Sequence, residues 1–210
     1  MIAVKICGIN SEESYRAAVG AGATWLGFNF FARSPRLVTA AQAAAIAGAD
    51  WAPRVGLFVE PEDAAICAVL SVCRLDVVQL YASPARCRAV REMFGVPVWR
   101  AVGVRSPADL PQDDEGLDGF VIEAKPPAGA DRPGGNGVQL DWAMLRGWQS
   151  PAPWLLAGGL NVANVAQAVA ASGAHAVDVA SGVETAPGQK SAALIEAFVV
   201  AARQGCERGQ

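Results

Sequence analysis

Ile2-Ala3-Val4-Lys5-Ile6-Cys7-Gly8-Ile9-Asn10-Ser11-Glu12-Glu13 holds one complete unit of a repeating plan. An apolar run over residues 2–7 reads as a strand and ends at a thiol followed by a glycine. Asn10-x-x-Glu13 then has the spacing of a capping box, which starts a helix by satisfying its free N–H groups. Side chains alternate along a strand, so Ile2, Val4 and Ile6 share one face while Ala3, Lys5 and Cys7 share the other.

The same unit recurs outward from this stretch. Runs rich in Val, Ile, Leu, Phe or Trp, bounded by glycine, proline or polar turns, predict strands over 24–30, 54–59, 76–81, 97–102, 118–123, 153–157 and 175–180. Helix starts lie between them. Thr39-x-x-Gln42 is a second capping box, and Pro61, Pro84 and Pro107 suit first helical positions after Glu60, Ser83 and Ser106. Asn161 is placed to cap a helix over 162–171 that Ser172-Gly173 closes, and a last helix runs over about 190–203 and ends near Gly205. The stretch 104–117 is poor in apolar residues and predicts only a short or irregular helix.

Eight strand-then-helix units predict an α/β fold: a closed (β/α)8 barrel, or TIM barrel, forming one compact domain over residues 1–210. An open doubly wound sheet is the alternative. It fits less well, because eight units fill the barrel without remainder and no G-x-G-x-x-G follows the first strand. Strand alternation puts Lys5 and Cys7 inside the barrel, with Gln79 and Arg100 as further inward candidates. A buried unpaired cation costs several kcal/mol. Glu123 and Asp178 are the acids available, and because the eighth strand neighbours the first, the expected pair is Lys5 with Asp178.

Composition narrows the function. The 210 residues are 52% hydrophobic and 18% charged, with a formal net charge of −3. There is no basic run to follow a nucleic-acid backbone and no attraction to an anionic membrane, so neither is expected as a partner. Lys5, Glu12, Glu13 and Arg16 break up the opening stretch, which excludes a signal peptide or span there and makes the cytoplasm the expected location. Five cysteines occur without a C-x-x-C pair and His175 is the sole histidine, so neither disulfides nor a bound metal is expected.

Active residues of such barrels gather where the strands end. Those ends carry Cys7-Gly8, Ser34-Pro35-Arg36, Tyr81, Glu123-Ala124-Lys125, Gly158-Gly159 and Ser181-Gly182. The last two pairs follow the seventh and eighth strands, the usual phosphate position of the fold, where small residues let backbone N–H groups approach an anion. The bland reading is that these glycines only make tight turns. Gly134-Gly135-Asn136-Gly137 ends a proline-rich segment and, beside a phosphate site, reads as a flap over the mouth. A loop arginine is ordinarily solvated, but Arg36 follows a proline at the mouth and can fork onto a carboxylate or phosphate. Cys7 and Glu123 form a candidate acid–base pair, against the alternative of a packed thiol and an ion-paired glutamate.

Taken together, the motifs resemble those of the phosphoribosylanthranilate isomerase family. They are Val4-Lys5-Ile6-Cys7-Gly8-Ile9, Gly27-Phe28-Asn29-Phe30 with Ser34-Pro35-Arg36, Val55-Gly56-Leu57-Phe58-Val59 and Val78-Gln79-Leu80. Gly134-Gly135-Asn136-Gly137 with Asp141-Trp142, Leu156-Ala157-Gly158-Gly159-Leu160-Asn161, and Val177-Asp178-Val179 with Ser181-Gly182-Val183-Glu184 complete the set. The resemblance implies a (β/α)8 barrel that converts N-(5-phosphoribosyl)anthranilate to 1-(2-carboxyphenylamino)-1-deoxyribulose 5-phosphate, without metal or cofactor. It implies Cys7 as general base and Glu123 as general acid. Arg36 and Asp178 fall near the anthranilate end, Gly135, Gly158, Gly159, Ser181 and Gly182 at the substrate phosphate, and Asn136 among the substrate-binding residues. The expected partner is a phosphorylated small molecule, and the expected assembly a monomer or homodimer. Two positions depart from the family pattern: Glu123 stands where an aspartate is usual, and Tyr81-Ala82 where histidine-glycine is usual. Those departures keep two other readings in view, a related isomerase of another sugar phosphate and a barrel that binds a sugar phosphate without converting it.

Overall fold

The computed structural model describes residues 2–50, 52–125, 129 and 139–207. Eight parallel strands close into a barrel in chain order: β1 (Ala3–Cys7), β2 (Trp25–Asn29), β3 (Arg54–Val59), β4 (Val77–Tyr81), β5 (Val98–Val104), β6 (Gly119–Ala124), β7 (Trp154–Leu156) and β8 (Ala176–Val179). The eighth pairs with the first, setting Lys5 opposite Asp178. Two more short strands, β9 (Glu184–Ala186) and β10 (Gln189–Lys190), form a hairpin just after β8 that sequence patterning had not signalled.

The helices described are α1 (Glu12–Gly20), α2 (Ala40–Ala47), α3 (Asp63–Leu70), α4 (Pro84–Phe94), α5 (Val165–Ser172) and α6 (Ala192–Glu207). Among the described residues, β5 and β6 are followed by single 3₁₀ turns, Pro107–Asp109 and Trp142–Leu145, in place of α-helices. The first lies in the apolar-poor stretch, where too few apolar side chains exist to hold a helix against the sheet.

Caps explain most helix boundaries and correct three expectations. Thr39 and Ser83 cap as expected, and Gly173 closes α5 in the left-handed conformation. The first capping box is Ser11 with Ser14 rather than Asn10 with Glu13; the Asn10 amide instead donates to the Gly188 carbonyl at 2.8 Å. Pro61 lies ahead of α3, because Glu60 takes a left-handed turn (φ 40°) and delays the helix to Asp63. α5 begins at Val165 behind Asn164, so Asn161 sits one turn upstream.

Two apolar layers result. The outer one joins the strands to the helices through Ile6, Phe28, Leu80, Phe120, Ile195 and Phe198, all fully buried. The inner one fills the barrel with Val55, Val77, Trp99, Val121, Leu155 and Ala176, and the Trp25 and Trp99 rings meet edge to face at 5.1 Å. Gly119 makes room for Trp99, whose ring atoms lie 2.9 and 3.1 Å from where a Cβ would stand. This inner layer corrects one expectation. Gln79 does point inward, fully buried, and stands opposite Trp99 in the β4–β5 register. Its neighbour Arg100 therefore falls on the outer face, where it pairs with Glu115 and lies 5.8 Å from the Phe120 ring centre.

Candidate active site

The strands of the barrel end around a pocket that is open at the top. Its floor is the end of β1. Cys7 is 4% exposed, and beside it the fully buried Lys5 donates from Nζ to Asp178 Oδ1 at 2.9 Å. This is the pair expected from the neighbouring of β8 and β1. Gly27 stands opposite Cys7 in the β1–β2 register, and a Cβ there would lie 3.0 Å from Cys7 Sγ and 3.2 Å from Lys5 Cε. Glycine at 27 is thus what leaves space for the thiol and the ammonium together.

Burial is the largest influence on Cys7 and lifts its pKa above the ordinary thiol value; Lys5 pulls it down and Asp178 pushes it up. For Lys5, burial alone would lower the pKa. The charges of Asp178 and Cys7 and their hydrogen bonds outweigh burial, and the net direction is upward. The ammonium is therefore held in its charged form.

One wall carries Tyr81 from the end of β4 and Glu123 from β6. The strand between them contributes Ala101 and Gly103, the latter opposite Glu123 in register, so small residues clear the space across β5. Burial, followed by the nearby Glu123 carboxylate, raises the Tyr81 phenol well above its usual pKa. The two positions at which this chain departs from the family pattern thus face the same pocket as neighbours.

The other wall is ionic. Arg36, 7% exposed, forks onto Glu184 through Nε (2.6 Å) and Nη2 (2.7 Å), and Lys190 Nζ donates to the same carboxylate at 2.6 Å. The stem of Arg36 runs over Gly8, whose φ of 75° and missing Cβ let it pass. Burial would raise the Glu184 pKa, but Arg36 and Lys190 outweigh it and hold the carboxyl below its usual value. Sequence reading set Arg36 at the mouth, where it lies, and missed its partners. The available signal was Pro187-Gly188, a turn dipeptide between Glu184 and Lys190.

The rim is formed by the loops after β7 and β8. Gly158 and Gly159 are both left-handed, with φ of 85° and 67°, a pair of conformations that side chains other than glycine resist. Gly182 packs its bare Cα against the Leu160 carbonyl and Asn161, so the two loops lie backbone to backbone. Cys7, Arg36, Glu123, Gly158, Gly159, Asp178 and Ser181 all line the one pocket. Gly135 and Asn136, with the flap reading, lie outside the described residues. No group of three or more His, Cys, Asp or Glu side chains among the described residues could hold a metal ion.

Fold and pocket together define an enzyme of the (β/α)8-barrel class, with its titratable groups collected at the carboxyl ends of the strands. The family model for N-(5'-phosphoribosyl)anthranilate isomerase matches residues 4–201. A protein of that name from Acidiphilium cryptum is 63% identical over 202 residues, covering 96% of this chain and 98% of its own length. One from Granulibacter bethesdensis is 48% identical, over 95% and 97%. Among solved structures, phosphoribosyl anthranilate isomerase from Thermotoga maritima superimposes with a TM-score of 0.82 at 31% identity, over 97% of this chain and 99% of that one. A phosphoribosyl anthranilate isomerase in complex with reduced 1-(o-carboxyphenylamino)-1-deoxyribulose 5-phosphate gives 0.80 at 31% identity over the same shares. The chain belongs to the phosphoribosylanthranilate isomerase family. It is an intramolecular isomerase of the aldose–ketose kind, acting on a phosphorylated small molecule in tryptophan biosynthesis.

Proposed function

We propose that Cys7 is the base and Glu123 the acid of this rearrangement. The observation that carries the reading is their placement: Cys7 on β1 and Glu123 on β6 line one pocket from strands well apart around the closed barrel. A ribose ring between them presents its ring oxygen to one and its C2 hydrogen to the other. Glu123 gives its proton to the ring oxygen as the C1–O bond breaks, leaving a Schiff base between C1 and the anthranilate nitrogen. Cys7, as thiolate, takes the C2 proton. The resulting enolamine takes a proton at C1 and gives up its hydroxyl proton to become the C2 ketone, so the product is an isomer of the substrate.

Burial raises the Cys7 pKa, so its thiolate, facing Lys5, is correspondingly a stronger base. Glu123 reaches about one methylene further than the family's aspartate, and Tyr81 stands beside that longer arm. Arg36 and Asp178 serve the carboxyphenyl end. Gly158, Gly159, Ser181 and Gly182, together with Gly135 and Asn136, serve the phosphate, supported by the left-handed glycine pair at the rim.

Monomer or homodimer in the cytoplasm is the working state we assign. The Thermotoga maritima relative is described as dimeric, and no helix among the described residues is long and apolar enough to cross a membrane.

Substrate fluorescence reports the reaction. Cys7→Ala and Glu123→Gln should each lower kcat at least about 100-fold, the scale of general acid–base catalysis, while Kd for the reduced product analogue stays within about threefold. A Cys7→Ala enzyme with near-normal kcat would remove Cys7 from the mechanism.

A further inference from the structure

Glu184 begins β9, directly after the Ser181–Val183 turn at the rim. Its carboxylate is almost completely enclosed (side chain 3% exposed) and accepts four hydrogen bonds, from Arg36 Nε and Nη2, from Lys190 Nζ, and from the Gly188 N–H at 3.2 Å. Lys190, with a side chain 1% exposed, also donates to the Ala180 carbonyl at 3.0 Å. The hairpin that bears both residues is itself clamped. Asn10 donates to the Gly188 carbonyl, and the bare Cα of Gly188 lies so close to Pro35 that a Cβ would stand 2.6 Å from its carbonyl oxygen.

Two consequences follow from charge and geometry. Two buried cations share one carboxylate, so the cluster carries a surplus of one positive charge, and a buried surplus charge is stabilised by a partner anion. The fork onto Glu184 also uses Nε and one edge of Nη2, which orients the plane of the guanidinium in the pocket wall without using all five of its donors.

We propose that Glu184 and Lys190 are positioning residues that set Arg36 as a rigid clamp for the carboxylate of the substrate's aromatic ring. Through the Ala180 carbonyl, Lys190 ties that clamp to the turn at the phosphate end. This inference rests on the reading that Arg36 meets the aromatic carboxylate. The side chains act through Arg36 and do not touch the reacting atoms.

The test compares two stable ligands by calorimetry: reduced 1-(2-carboxyphenylamino)-1-deoxyribulose 5-phosphate and the same compound without the ring carboxyl. Glu184→Gln alone strands a buried ammonium and can fail to fold, so the working variant is Glu184→Gln/Lys190→Met, which removes one charge of each sign. Its preference for the carboxylated ligand should fall by about tenfold or more, the effect of losing one well-aligned charge-assisted hydrogen bond. Affinity for the ligand without the carboxyl should stay within about threefold, and KM should rise more than kcat falls. Equal weakening of both ligands, or a preference that is unchanged or increased, overturns the proposal. Arg36→Met is measured alongside. If it too leaves the preference intact, the placement of Arg36 at the carboxylate is what fails; if it abolishes the preference and the double variant does not, the positioning role alone is wrong.

Discussion

Gly27→Ala adds one methyl group to the inner face of β2, directly opposite Cys7. The new carbon would stand 3.0 Å from Cys7 Cα, 3.0 Å from Cys7 Sγ and 3.2 Å from Lys5 Cε. Relaxed carbon contacts lie at about 3.5–4.0 Å, so the two Cys7 contacts fall short by roughly 0.5 Å or more and the Lys5 contact by roughly 0.3 Å or more. None of the three can yield cheaply. The Cα belongs to a central strand of the barrel, the Sγ turns about a single bond, and Lys5 is pinned to Asp178. Overpacking of this kind costs about 1–3 kcal/mol. If Cys7 is the base, its sulfur must move as well. Misplacement by about 1 Å costs on the order of 100-fold, so about half that displacement should cost roughly tenfold in kcat. Urea unfolding and the loss of substrate fluorescence measure the two effects. Gly20→Ala, at the end of α1 with open space around it, is the control and should be neutral or stabilising by up to about 1 kcal/mol with kcat unchanged. A Gly27→Ala enzyme that loses stability but keeps its kcat would refute the claim that the position of the Cys7 sulfur sets the rate. One that loses neither would show that β1 and β2 are less tightly apposed than described.

Lys5→Met leaves Asp178 buried without its cation and should cost about 3–5 kcal/mol, whereas Lys5→Met/Asp178→Asn should recover most of that loss; urea melts of the single and double variants decide. Because the folded-state pKa of Lys5 is raised, its contribution is fully present below about pH 10.4 and is lost as the pH climbs through the higher folded value. Wild-type stability should therefore fall above that pH more steeply than that of the double variant, and parallel curves would refute the coupling. Tyr81→Phe keeps the ring and deletes the hydroxyl beside Glu123; if that hydroxyl orients the acid, kcat should fall about tenfold with a smaller change in KM. Unchanged kinetics would mean that Glu123 is held by other groups.

The parts of this molecule that the chain announces are those set by its core. Apolar runs placed all eight strands to within a few residues, because a buried parallel strand must be apolar on both faces. The same alternation, with closure of the barrel, made the Lys5–Asp178 pair legible across 173 residues, since β8 has only β7 and β1 as neighbours. Arg100 shows where that logic stops. Its face depends on which residue of β5 enters the register first, and Trp99, filling the barrel against Trp25 and Gly119, decides it. The wall behind Arg36 was illegible for a different reason. Glu184 and Lys190 sit on a two-strand hairpin with no apolar period, and their bonds to Arg36 and Ala180 exist only once the loops after β2 and β8 are brought together, 148 residues apart for Arg36 and Glu184. Tyr81 and Glu123 belong to the same case. Each reads alone as a departure from a family pattern, and only the closed barrel makes them neighbours at one pocket wall. Candidate site residues at such a mouth are therefore written at the strand ends, whereas the orientation of Arg36 depends on partners from a distant loop.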